Sequence, residues 1–192
     1  MKLRFLATIA VIGVLLLAAC GQKGIKDAKN WPVEDFSYQN QKGEAFGLKD
    51  LEGKVWVADF IFTSCEDVCL PMTSNMSKLQ EMVKEEGIEN IQFVSFTVDP
   101  TVDSPEKLKE FGDTFNVDYS NWNFLTGYSQ EEITDFARES FKTLVVKPQN
   151  DDQVGHGTDF YLVGQDGKIL KYYTGLAKIP FEDIIKDIKA VQ

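Results

Sequence analysis

Between Val55 and Phe62 the chain reads "VWVADFIF", an almost unbroken apolar run, and it then breaks off into "TSCEDVC". A run of that length with so little alternation is a strand covered on both faces, the pattern of a parallel sheet rather than of a half-solvated hairpin. Parallel neighbours need a long crossover between them. The next residues supply one: Met72, Met76, Leu79 and Val83 recur at helical spacing from Pro71 to Glu86, and Gly87 ends the run. At that spacing Met72 and Met76 are core residues rather than soft metal ligands.

The same alternation continues downstream. Ile91 to Val98 ("IQFVSFTV") reads as a second strand, followed by a helix from Ser104 to Phe115 with Ser104 as N-cap and Pro105 in the first helical position. Asn123 to Thr126 is a short strand, and Gln130 to Ser140 a helix capped by Ser129. Phe160–Gly164 and Ile169–Tyr173 form a hairpin through Asp166-Gly167, and Pro180 to Ala190 is the last helix. Upstream, Val33 to Leu48 reads as two short strands turned at Asn40-Gln41-Lys42-Gly43. This order predicts an α/β domain with a thioredoxin-like fold and an N-terminal β-hairpin extension.

The segment before this domain sets its compartment. Lys2 and Arg4 form a short positive region, Phe5 to Leu17 an apolar one too short for a comfortable span, and Leu17-Ala18-Ala19-Cys20 ends it. The ending resembles the lipobox of bacterial lipoproteins. That resemblance implies a signal peptide over 1–19, lipidation of Cys20, and a location on the extracytoplasmic face of the cell membrane. Residues 20–30 then read as the lipidated terminus and a polar tether, and residues 31–192 as the folded domain. The net charge of −10 becomes more negative once Lys2 and Arg4 are lost. Such a domain is a poor partner for nucleic acid or anionic lipid, but does not repel a metal cation.

Of the three cysteines, lipid would take Cys20 and leave Cys65 and Cys69. In an oxidising exterior that pair is a disulfide, a redox dithiol or a metal site. A bridge closing so small a loop adds little stability, which weakens the purely structural option. Cys65 falls at the carboxyl end of the strand and Cys69 in the first turn of the helix, where unpaired N–H groups favour thiolate. Residues i and i+4 on one helix face would bring the sulfurs together. His156, the single histidine, lies in "DDQVGHGTDFYLV", in the loop entering the strand at Phe160. In a thioredoxin-like fold this loop stands opposite the dithiol. Two thiolates and one imidazole suit copper; zinc accepts the same ligands, but an open set that can cycle with a disulfide points to copper.

Four segments, "FIFTSCEDVC", "VSFTVDPTVDSPEKLKEF", "WNFLTG" and "HGTDFYLVGQDGK", occur in this order, and with them the chain resembles the Sco family, copper-binding assembly proteins of cytochrome c oxidase. The resemblance runs from about Trp31 to Ala190. It implies that Cys65, Cys69 and His156 bind one copper ion, Cu(I) or Cu(II). It further implies a monomer that helps mature the CuA centre of oxidase subunit II by delivering copper, reducing its cysteines, or both, with a thiol reductant protein as second partner. Many relatives carry proline directly after each cysteine; here Glu66 and Leu70 stand there, with Pro71 displaced by one. Glu66 adds an anion expected to raise the thiol pKa values. Asp67 is either a further oxygen ligand or a solvated carboxylate. Asp99, before Pro100, either orients the site or shapes a turn.

Three rival readings use the same residues. A membrane-anchored thiol–disulfide oxidoreductase would need Cys65 and Cys69 but not His156. A peroxidase would make Cys69 the attacking thiolate, yet Glu66 stands where a threonine or serine is usual, and Arg138, the only arginine after the expected signal segment, lies in a helical stretch. A cysteine hydrolase activated by His156 would leave one cysteine without a role.

Overall fold

The computed structural model describes residues 24–192 apart from Glu66. The expected signal segment 1–19 and Cys20 lie outside the described residues.

The apolar run becomes β4 (Val55–Ile61), every residue of which is buried. It pairs in parallel with β5 (Ile91–Thr97), and β5 in parallel with β6 (Trp122–Thr126). On its other side β4 meets β9 (Asp159–Val163) antiparallel, and β9 pairs with β10 (Lys168–Thr174). The expected N-terminal hairpin is present as β2 (Ser37–Asn40) and β3 (Ala45–Gly47), added to the sheet through β6. A strand the sequence pattern missed, β1 (Trp31–Pro32), closes the far edge against β10, giving the order β1-β10-β9-β4-β5-β6-β2-β3. The chain joins that edge already at Lys29, whose backbone N–H donates to the Leu170 carbonyl at 2.9 Å. A 3-10 turn (Leu48–Leu51) links β3 to β4.

The crossovers are α1 (Cys69–Glu85), between β4 and β5, and α2 (Pro105–Asp113), between β5 and β6. Helix α3 (Gln130–Phe141) follows β6, and α4 (Phe181–Val191) closes the chain. Their ends follow local chemistry. Ser129 and Glu132 form a reciprocal capping box on α3, and Ser104 accepts from the Lys107 N–H on α2. Gly87, at φ +63°, takes the left-handed conformation that stops α1, and Gly167, at φ +71°, does so in the β9–β10 turn.

Two layers of core sandwich the sheet. On one face of β4, Trp56 and Phe60 pack against Phe141 of α3 with ring centroids 6.4 and 5.1 Å apart, and Phe96 joins them. Met72 and Met76 of α1 are fully buried, as their spacing required. One element stands apart from the main sheet: β7 (Val145–Val146) and β8 (Gly155–His156) form a two-stranded ribbon. His156, expected in a loop, therefore sits on a strand paired with Val145. Two residue pairs carry too little periodicity for any sequence pattern to announce them.

Candidate metal centre

Cys65 lies in the turn after β4, its N–H donating to the Phe62 carbonyl at 3.4 Å. Helix α1 begins only at Cys69, so the cysteines do not share a helix face as expected. They meet because the turn folds the Cys65 sulfur over the helix start. Val68 at the N-cap offers no side-chain cap, and the Cys69 N–H donates instead to Cys65 Sγ at 3.3 Å. A sulfur in that position accepts an otherwise orphaned N–H and feels the positive end of the helix dipole.

The turn is held from below. Asp103, fully buried, accepts from the Thr63 N–H at 3.0 Å and from the Thr63 hydroxyl at 2.6 Å, and also from Thr97. From the opposite side β8 presents His156. Its Nδ1 lies 2.8 Å from the Gly157 carbonyl, which can only accept, so Nδ1 carries the proton. Nε2 faces Cys69 Sγ, 3.4 Å away. The Phe62 ring stands edge-on to the imidazole at 5.8 Å. Cys65 Sγ, Cys69 Sγ and a His156 nitrogen all lie within 4.8 Å of one another. Neither cysteine is in a disulfide.

The two thiols differ in character. Burial raises the Cys65 pKa, but hydrogen bonds from His156, from the Cys69 side chain and backbone, and from the Asp67 backbone outweigh it and bring it down to about 6. Cys69 moves the other way. Burial dominates, and hydrogen bonding to Cys65 with the nearby charges of Cys65 and Asp59 pushes it well above the ordinary thiol range. The reduced pair thus holds one thiolate and one thiol at neutral pH. Alkylation of the reduced protein is expected to label Cys65 alone, with a rate that rises through pH 6 and is flat by pH 8. A midpoint near pH 9, or equal labelling of both cysteines, overturns this assignment.

Cys65, Cys69 and His156 are thus brought together, and the other candidates are not. Asp67 is exposed and lies outside the donor cluster, which leaves it a solvated carboxylate. Asp99 is buried and ion-paired with Lys147. Glu66 and Cys20 lie outside the described residues. Three contributors escaped the sequence reading. Asp59 is the one charge inside the apolar run; it is fully buried, and neither carboxylate oxygen has a hydrogen-bond partner. Asp103 is the second acid of "VDPTVDSP", and Lys147 follows β7. Only Asp59 carried a signal, a lone charge where every neighbour is apolar.

Comparison with known proteins fits this arrangement. The family model SCO1/SenC matches residues 26–192. A SCO1/SenC family lipoprotein from Bacillus anthracis str. Ames superposes with a TM-score of 0.85 at 55% identity, covering 88% of this chain and 99% of that one. BsSco, a protein with a disulfide switch and a member of the Sco family of cytochrome c oxidase assembly proteins, gives 0.81 at 50% identity over 88% and 97%. Arabidopsis thaliana ScoI with copper bound gives 0.69 at 26% identity over 81% and 97%. The match spans the strand that ends at the cysteines, the helix that starts there and the ribbon that brings in the histidine, and so the chain belongs to the SCO1/SenC family.

Proposed function

We propose that this chain is a copper-binding assembly factor for the CuA centre of cytochrome c oxidase subunit II. In this reading it binds one copper ion through Cys65, Cys69 and His156. The observation that carries the reading is the convergence of two sulfurs and one imidazole nitrogen within 4.8 Å. The donor chemistry fits. Sulfur and imidazole suit copper, no carboxylate belongs to the cluster among the described residues, and the Nδ1–H bond to Gly157 orients the ring as an outer-shell partner of a ligating histidine does. Copper bound there supplies a soft, redox-active cargo; the chain supplies donors that a disulfide can withdraw.

The relatives support the setting. A lipoprotein neighbour and the Ala18-Ala19-Cys20 ending favour a lipid anchor at Cys20 on the extracytoplasmic face of the membrane. Among the described residues no helix is long and apolar enough to cross a membrane. The disulfide switch of BsSco, at 50% identity, favours a redox-active pair here, cycled by a thiol reductant protein. The same pair acting alone as a thiol–disulfide oxidoreductase is the second reading, favoured by the split between an acidic Cys65 and a protonated Cys69.

Copper titration of the soluble domain in both redox states tests the first reading. The reduced form is expected to bind one copper per chain with sulfur and nitrogen donors visible by X-ray absorption. The disulfide form is expected to bind orders of magnitude more weakly, because oxidation removes both anionic donors. Equal affinity in the two forms defeats it.

A further inference from the structure

His156 reaches the cysteines from a ribbon that cannot hold itself in place. Strands β7 and β8 contribute two residue pairs, Val145 with His156 and Val146 with Gly155, and an isolated ribbon of that size is at best marginal in water. Its apolar anchoring is slight. Val145 and Val154 are buried, whereas Leu144 and Val146 are 69% and 56% exposed. Polar attachments among the described residues supplement them. Gln153 Nε2 donates to the Ser64 carbonyl at 3.2 Å, tying the ribbon to the residue before Cys65. Lys147, directly after β7, donates its ammonium to Asp99 at the end of β5 and lies 3.4 Å from the Thr101 hydroxyl.

The second attachment is built into the core. Asp99 is 2% exposed at the side chain and Lys147 24%. Asp99 is itself fixed: its N–H donates to the Thr97 hydroxyl at 3.1 Å, its carboxylate accepts from Thr101 at 3.0 Å, and its carbonyl accepts from the N–H groups of Val102 and Asp103. Asp103 in turn grips Thr63, two residues before Cys65. The hydrogen-bonded turn that follows β5 therefore supports the cysteine turn through Asp103 and the histidine ribbon through Asp99 and Lys147.

We infer that Lys147 is a positioning residue for the metal centre, latching the β7–β8 ribbon to Asp99 so that His156 stays within reach of Cys69. This rests on the copper reading above, deepens it, and is separable from it. Losing the latch costs affinity because the ribbon then samples positions in which Nε2 faces away from the sulfurs, and only the competent fraction binds.

The test uses Lys147→Met, which keeps the length of the side chain and removes its charge, and Lys147→Arg, which keeps the charge. Asp99→Asn combined with Lys147→Met guards against misfolding by an uncompensated buried carboxylate. Amide exchange by NMR on the metal-free domain reads the ribbon directly. Lys147→Met and the double variant are expected to speed exchange at Gly155 and His156 about 10-fold or more, with β4 and β5 unchanged. Copper affinity is expected to fall by about 10- to 100-fold, the range seen when a partner that orients a ligand is lost. Lys147→Arg is expected to restore both. Wild-type exchange in the ribbon of either Lys147→Met protein overturns the inference, as does faster exchange with unchanged affinity. Failure of the wild-type domain to bind copper overturns the functional reading instead, and the exchange measurements still decide the latch.

Discussion

Replacing His156 with alanine is expected to weaken copper binding by the reduced domain by more than about 100-fold, beyond what loss of an orienting partner does. The disulfide between Cys65 and Cys69 is expected to form as before. The reason is geometric. His156 is the one donor contributed from outside the β4–α1 turn, with Nε2 3.4 Å from Cys69 Sγ, and the alanine variant keeps the sulfur pair while removing the third ligand. The same change carries a second readout. A hydrogen bond from His156 is the largest of the effects holding the Cys65 pKa down, so the alkylation midpoint of the variant moves up from about 6 toward the ordinary thiol value. The outcomes separate the readings of the site. Copper affinity within about threefold of wild type defeats the copper reading, and intact disulfide exchange with a partner thiol beside it leaves the oxidoreductase standing. A site in which the histidine activates a cysteine for hydrolysis would lose all turnover.

How legible the molecule was depended on whether a feature was local. The strand at Val55–Ile61, the crossover helices and the caps at Ser104 and Ser129 each announce themselves within a few residues, because periodicity and capping are short-range. The donor set was legible for a different reason: a chain with one histidine and three cysteines has few ways to build a soft metal site. The manner of their meeting was not. Spacing of four suggests one helix face, but the helix starts at Cys69, and the Cys65 sulfur caps it instead of belonging to it. The ribbon holding His156 and the ion pair anchoring it depend on contacts 48 residues apart between Asp99 and Lys147, which no window along the chain can contain. Asp103 reads as an ordinary turn acid until Thr63 folds onto it.

Asp59→Asn is expected to make the domain more stable than wild type above pH 7 and to flatten its stability between pH 4 and 7. Burial pushes the Asp59 pKa from 3.8 up to about 7, with Ser95 and His156 lowering it only in part. The sign follows from proton binding. In that interval the folded chain keeps a proton on Asp59 that the unfolded chain has released, so raising the pH favours unfolding. The contribution is intact below about pH 4 and fully lost above about pH 7. A shift of that size corresponds to a loss on the order of 4 kcal/mol. Asparagine has the same shape and no charge to desolvate, so it removes this slope, although its amide inherits a site without hydrogen-bond partners for either carboxylate oxygen and the net gain is smaller. Urea unfolding of both proteins at pH 5 and pH 8 measures the effect, and the difference between them cancels the opposite trend from Cys65, whose lowered pKa favours folding as the pH rises. Parallel curves defeat the assignment. A chain carries such a cost where the group does something, and the charge of Asp59 raises the Cys69 pKa. Its removal is therefore expected to lower the pH at which Cys69 ionises, while Cys65 remains the thiolate of the pair.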